Sequence, residues 1–407
     1  MRYPLLYNAI SKASKNTMKN LSCLKDLSCS VCGKSYNADQ IQTFCMDCKA
    51  PLMANYDLIS IKNQLDRDSV SRRIKGMWRW VELLPVSEPE NIVSLGEGDT
   101  PLLRLSYLGR ELHLTNLYLK EEGLNPTGSF KARGLSSAVS KAKELGITKM
   151  VIPSAGNAGG ALAAYAARAE IDALIYMPKS SPSSNIVESM ITGATVELID
   201  GLIDTAGKYA EEKAASEGWF NMSTFREPYR VEGKKIMGYE IAESLGWKLP
   251  DVIIYPTGGG TGLVGMWKAF IELDALGWLG APIKPKMIAV QAEGCAPVVE
   301  AFDAGKLTCD FWENAHTLAT GLCVPKSFAN QIILKYIRES NGTAISVSDD
   351  EIIQSQRRLA KKEGIFSCPE GAATVAALEK LVKRGAIHQE ETIILFNTGS
   401  GLKYISS

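Results

Sequence analysis

The feature that most constrains this chain is an alternation that begins near residue 117. Short apolar runs are followed at regular intervals by amphipathic or Ala-rich stretches. LYLKEE, KMVIPS, DALIYMP and TVELID read as strands, and SFKARGLSSAVSKAKELG, GGALAAYAARAEI, SSNIVESMITG and GLIDTAGKYAEEKAASEG read as helices between them. Further on, DVIIYPTGGG, KMIAVQAEG and TIILFNTGSG are apolar runs each stopped by turn residues. Strands separated by helices of this length build parallel βαβ units. The unbroken runs VIIY and IILF suit strands covered on both faces. The fold class is therefore α/β. Ahead of the alternation, SIKNQLDRDSVSRRIKGMWRWVELL reads as a charged helical stretch ending at Pro85, and LGEGDTPLL reads as a loop.

A length of 407 residues leaves room for two or three packed units. Lys plus Arg and Asp plus Glu are balanced at 45 each, so the sequence carries no electrostatic footprint for nucleic acid or an anionic membrane. No apolar run approaches the roughly 20 residues that span a bilayer. The first 20 residues are basic and lack acids, but hold one Arg and a short apolar stretch; they read as a terminal arm rather than a targeting signal. The default compartment is the cytoplasm. Five of the nine cysteines fall in the first 48 residues, an unevenness foreign to a disulfide framework.

In open α/β sheets ligands gather where strands end and helices begin, and three such loops are unusual here. In NPTGSFKARG, with Thr127 or Ser129 as N-cap, Lys131 falls in the first helical turn. The helix dipole disfavours a cation there. Lys131 is either a surface lysine lying over the helix or an amine whose pKa is lowered by the dipole and by burial, which makes it a nucleophile. In PSAGNAGG, the small residues Ser154, Ala155 and Gly156 and the single Asn157 leave backbone N–H groups free to cradle an anion such as a carboxylate; a tight strand-to-helix turn would use the same residues. In PTGGGTG, directly after VIIY, Gly258, Gly259, Gly260, Thr261 and Gly262 let the backbone approach a phosphate. No Gly-Lys-Ser/Thr follows and the dinucleotide spacing is missed, so a small phosphate ester fits better than a nucleotide.

These three loops, in this order, resemble the fold type II family of enzymes dependent on pyridoxal 5'-phosphate (PLP), over about residues 93 to 403. That family includes threonine synthases, threonine and serine dehydratases and cysteine synthase. The resemblance implies that Lys131 holds PLP covalently and is catalytic, that Asn157 faces the ring hydroxyl, and that Gly258, Gly259, Gly260, Thr261 and Gly262 bind the cofactor phosphate. It also implies that Thr398, in FNTGSGLKY, faces the pyridine nitrogen. Ser154, Ala155 and Gly156 become the substrate-binding loop.

Within the family, SLGEGDTPLL, MWRWVELLPV and EPYRVEGKKIMGYEIAE look like threonine synthase, which converts O-phospho-L-homoserine and water to L-threonine and phosphate. Arg230, together with Lys234, is then a candidate for the anionic side of a small phosphorylated amino acid. A solvated charged loop is the alternative reading of both. Ala132, where threonine synthases usually have Asp, and a GGGTG loop without Asn both resemble the dehydratases. The alternative is a β-eliminase or β-replacement enzyme acting on threonine, serine or O-phosphoserine. A third possibility is a binding protein that has kept the fold, against which the intact Lys131 argues. Cys368, in SCPEGAA, is read as packing rather than as a catalytic thiol.

Cys29-x2-Cys32-x12-Cys45-x2-Cys48 has the two-knuckle spacing of a zinc ribbon, in which four thiolates satisfy tetrahedral zinc and leave no open position. The expected zinc is structural, and Cys23 is extra. By resemblance the enzyme is a homodimer with three parts: residues 1–60 as arm and ribbon, 61–124 with 246–407 as a large lobe, and 125–245 as a small lobe.

Overall fold

The computed structural model describes residues 21–281 and 284–405. The terminal arm read from residues 1–20 lies outside the described residues. Three sheets carry the chain. The largest has six strands in the order 343–347, 286–292, 252–256, 392–397, 116–121 and 102–104, all parallel except the last, which pairs antiparallel with 116–121. Val252–Pro256 lies at its centre, in register with Met287 through Ile253 and with Leu395 through Ile254. All five residues of that strand are buried, as its unbroken apolar run requires of a strand covered on both faces.

The second sheet is parallel, with strands in the order 195–199, 172–178, 149–153 and 220–221. The helices Lys131–Glu144, Asn157–Ala169 and Arg230–Ser244 belong to the chain segment that contains it. Lys131–Glu144 buries eleven consecutive residues, Ala132 to Ala142, which is the mark of a helix covered almost all round.

The N-terminal segment forms a three-stranded antiparallel sheet in which Leu24–Cys29 pairs with Ser35–Tyr36 and with Leu52–Tyr56. It is joined to the rest by a shared core, in which Leu27, Leu52 and Ala54 cluster with Trp80, Ile152 and Tyr239. Met53 instead enters the cluster around Leu263 and Met266 of the helix Thr261–Leu276. From that helix, Lys268 Nζ donates to the carbonyl of Ala54 at 2.6 Å.

The stretch expected as one helix up to Pro85 is three pieces: Leu58–Gln64, Arg67–Ser71 and a 3-10 turn, Met77–Leu83. Asp57 and Asp66 each cap a helix by accepting a backbone N–H, and Gly76, at φ +130°, breaks the path before Met77. Among the described residues, no helix is long and apolar enough to cross a membrane.

Candidate active site

Every unusual loop follows the C-terminal end of a parallel strand: 154–156 after Lys149–Pro153, 257–260 after Val252–Pro256, and 398–400 after Thr392–Asn397. The Lys131 segment follows Asn116–Glu121. Backbone bonds pull these loops together. Phe130 donates its N–H to the carbonyl of Thr398 at 3.0 Å, and Ser129 bridges Gly399. A Cβ on Gly399 would lie 3.5 Å from Asn157 Nδ2. The Phe130 ring meets Tyr255 edge-on with centroids 6.3 Å apart, and Tyr255 Oη occupies the space where a Cβ on Gly262 would be. Lys131, Asn157, Thr398 and the glycine loop therefore converge.

Lys131 is the first residue of its helix, as expected, but the expected caps are absent. Phe130 is the N-cap and no side chain caps the helix. The ties from Phe130 and Ser129 to residues 398–399 set this backbone instead, and the hydroxyls of Thr127 and Ser129 are buried without partners. The Lys131 side chain is half-buried, with Nζ 4.0 Å from the centre of the Phe130 ring. Desolvation, then the Arg230 guanidinium, lower its pKa to about 8, while Glu370 pulls the other way. The surface-lysine alternative is incompatible with that setting.

The glycine loop holds backbone donors with no acceptor. Gly260 is the N-cap of Thr261–Leu276 in the left-handed region, at φ +83°, and no side chain caps the helix. Among the described residues, no hydrogen-bond acceptor meets the N–H groups of residues 258–262. A Cβ on Gly258 would collide with the carbonyl oxygen of Gly321, and one on Gly259 would stand 2.8 Å from Thr224, so only glycine lets the loop lie this close to its neighbours. A run of free N–H groups at the start of a 16-residue helix is a fitting receptor for a phosphate ester.

In the 154–157 loop, Ser154 Oγ is consumed by its own turn: it accepts the N–H groups of Gly156 and Gly159 and donates to the Gly156 carbonyl. The N–H groups of Ala155, Asn157 and Ala158 meet no acceptor among the described residues. Asn157 opens its helix, donates from Nδ2 to Tyr404 Oη at 3.2 Å, and leaves a buried Oδ1 unpaired. Thr398 is buried, with Oγ1 3.5 Å from Cys368 Sγ. Cys368 is buried too, caps the helix Pro369–Lys383 by accepting the Gly371 N–H, and has its thiol pKa pushed up by desolvation, as suits packing.

Arg230 is buried at the start of its helix, which excludes the solvated-loop alternative; Nη1 donates to the Met222 carbonyl and Nε is unpaired. The same holds for Lys234, which is fully buried. Sequence reasoning missed Arg133, although it stands in the same KARG run. Arg133 is fully buried and donates five hydrogen bonds: two to Glu122, two to Glu240 and one to Thr100. Lys120 joins Glu240 at 2.6 Å. Only the oddity of Arg on an otherwise small-residue helix face signalled it.

The four cysteines come together with all sulfurs within 4.8 Å of one another. The separations Cys32–Cys45 at 3.7 Å and Cys32–Cys48 at 3.8 Å match the spacing of about 3.8 Å set by tetrahedral Zn–S bonds, and Cys29–Cys48, at 3.2 Å, is shorter. The N–H groups of Val31 and Cys32 point at Cys29 Sγ, each at 3.4 Å. Cys23 stands outside the cluster.

The family described as "Pyridoxal-phosphate dependent enzyme" matches residues 93–399. This chain belongs to the pyridoxal-phosphate dependent enzyme family. As a member, it is a PLP-dependent lyase. It is 37% identical to the threonine synthase of Methanocaldococcus jannaschii over 376 residues, covering 92% of each chain. To the threonine synthase of Methanosarcina acetivorans it is 38% identical over 379 residues, covering 93% of this chain and 92% of that one. Among solved structures, maize serine racemase (TM-score 0.64, 22% identity, 74% of this chain and 88% of that one) shares the fold. So does the processed form of threonine deaminase isoform 2 from Solanum lycopersicum (TM-score 0.63, 22% identity, 83% of this chain and 90% of that one). The α/β fold type II architecture read from the sequence is the one found.

Proposed function

We propose that this PLP-dependent enzyme converts O-phospho-L-homoserine and water to L-threonine and phosphate, with Lys131 as its catalytic amine. The observation that carries the reading is the convergence of one half-buried lysine with two separate sets of unpaired backbone N–H groups, those of residues 258–262 and those of Ala155, Asn157 and Ala158. Two amide cradles suit two anions, a cofactor phosphate and an amino-acid carboxylate. The similarity to threonine synthases over more than nine-tenths of the chain supports the same substrate.

When bound, PLP supplies the electron sink that acidifies the substrate's α-carbon. The residues present fit it: Lys131 would hold it, residues 258–262 would grip its phosphate, the unpaired Oδ1 of Asn157 offers an acceptor for its ring hydroxyl, and Thr398 offers a hydroxyl to its ring nitrogen. A neutral threonine there would offer no charge to hold a proton on that nitrogen. Lys131 would take and return the proton at the substrate's α-carbon, and a pKa of about 8 suits both directions near neutral pH. The N–H groups of Ala155, Asn157 and Ala158 orient the carboxylate, aided by the turn that Ser154 and Gly156 hold. Arg230 brings its unpaired Nε to the anionic far end of the substrate.

Closure of the cleft between a small lobe, residues 125–245, and a large lobe, residues 61–124 and 246–407, would exclude water during the chemistry. The four-cysteine ribbon holds one structural zinc, and the active species is a cytoplasmic homodimer. The test is to supply O-phospho-L-homoserine to the yellow protein and follow phosphate and threonine together. Equal release of both is expected. A protein that instead turns threonine or serine into a 2-oxoacid and ammonia is the β-eliminase suggested by Ala132 and the GGGTG loop, and the synthase reading is then wrong.

A further inference from the structure

The glycine loop after Val252–Pro256 lies against the start of another helix, Asn330–Glu339. A Cβ on Gly260 would collide with Ile333, a fully buried residue of that helix's first turn. Just ahead of the helix stands Ser327, also buried. Its Oγ donates to the carbonyl of Gly259 at 2.9 Å and accepts the N–H of Ala329 at 3.2 Å. The Ser327 carbonyl accepts twice from Asn330, from its N–H at 3.2 Å and from Nδ2 at 2.8 Å. Asn330 Oδ1 accepts in turn the Cys309 N–H at 2.9 Å. The serine is therefore braced from behind.

A serine that only closed its own turn would need the bond from Ala329 and no more. The bond to Gly259 reaches across 68 residues of chain to the one loop that has free amides. With glycine on both sides, the peptide plane between Gly259 and Gly260 is free to rotate, and no side chain caps the helix Thr261–Leu276 to hold it. That peptide is planar and trans, so its C=O and N–H point in opposite directions. Fastening the Gly259 carbonyl to Ser327 therefore turns the Gly260 N–H the other way. Among the described residues, that N–H meets no acceptor.

We propose that Ser327 is a positioning residue for the cofactor phosphate: by holding the Gly259 carbonyl, it aims the Gly260 N–H at the phosphate without touching the cofactor itself. This rests on the reading of residues 258–262 as the phosphate loop. Without the hydroxyl the peptide can turn, and one amide aimed at a charged ester is lost. A hydrogen bond to a charged group is strong enough for that loss to weaken PLP binding about 10-fold or more. Pyridoxal carries the same aldehyde for Lys131 but no phosphate, so its binding should not register the change.

The test compares Ser327→Ala with Ser327→Thr, which keeps the hydroxyl, in the full-length apoprotein. Equilibrium dialysis gives the Kd for PLP and, in parallel, for pyridoxal, and the thermal midpoint of each apoprotein reports folding. Ser327→Ala is expected to raise the Kd for PLP about 10-fold or more and to leave that for pyridoxal within about 2-fold. Ser327→Thr is expected to restore most of the lost PLP affinity. An unchanged Kd for PLP in a folded Ser327→Ala protein would overturn the proposal. So would equal losses for PLP and pyridoxal, or unfolding of both variants, since either result makes the serine structural. A wild-type protein that binds pyridoxal as tightly as PLP would instead sink the reading of residues 258–262 as a phosphate loop.

Discussion

Arg133→Met tests whether the charge cluster behind the active site anchors the Lys131 helix. Arg133 is wholly buried two residues from Lys131 and holds Glu122, at the end of one strand of the large sheet, and Glu240, on the helix Arg230–Ser244. Methionine fills much of the volume but withdraws five hydrogen bonds and one charge from two buried carboxylates and a threonine hydroxyl. Glu240 keeps Lys120, and Glu122 keeps only Thr100 and Asn125. Breaking a buried pair in this way costs about 3–5 kcal/mol, and the partial answer from Lys120 argues for the lower half of that range. Urea unfolding of the apoprotein, followed by circular dichroism, gives the figure, and a loss below about 1 kcal/mol would refute the reasoning.

The pH dependence carries a second check. Burial raises the Glu122 pKa, but Arg133 more than offsets it and the net shift is downward. A carboxyl lowered in the folded state contributes stability above its unfolded pKa of about 4.3 and loses it as pH falls through the folded value. Without Arg133, burial and the charge of Glu240 push the Glu122 pKa up against Lys120, so protonation costs the variant less than it costs the wild type. The gap between wild type and variant should therefore narrow on acidification from pH 6 to 4. The triple variant Arg133→Met, Glu122→Gln, Glu240→Gln should recover at least half of the lost stability, because whole buried clusters are replaced at far lower cost than halves of them.

Lys131→Ala should abolish turnover and the absorbance of lysine-bound PLP while far-ultraviolet circular dichroism stays unchanged; any residual turnover above background contradicts the central role of this amine. Gly262→Ala drives a Cβ into Tyr255 Oη, so the loop must shift, and the Kd for PLP, measured by equilibrium dialysis, should rise about 10-fold or more. An unchanged Kd would remove the glycine loop from the cofactor site. Cys45→Ser removes one of four sulfurs, and metal analysis should show about one zinc per wild-type chain and a deficit in the variant. Equal metal in both would place the ion elsewhere.

Much of this was legible because the relevant signals are local. Val252–Pro256 and Thr392–Asn397 announce themselves as covered parallel strands by apolar runs that stop at Gly, Thr or Pro, and the cysteine spacing survives whatever surrounds it. The three loops could be found because small residues at strand ends are rare without cause. What escaped was tertiary. Nothing near Arg133 in sequence names Glu240, 107 residues away, as its partner. The caps expected from Thr127 and Ser129 failed because a strand end beyond residue 397 fixes their backbone. The helix expected before Pro85 broke at Gly76 and at Asp66, whose capping preference outweighed a helical composition. Lys234 and Lys235 look alike in the sequence, and only packing separates Lys235, paired with Glu232, from an unanswered Lys234.

The ribbon also has a mechanical neighbour. Its last strand hands the carbonyl of Ala54 to Lys268, and Lys268 rides midway along the helix whose first turn carries the unpaired amides of the glycine loop. The strand that leaves the four cysteines and the row of glycines are thus fastened to a single rod. Removing with a chelator a metal held by the four sulfurs is expected to loosen this fastening midway along the helix, and a weaker hold on PLP is the measurement that checks it.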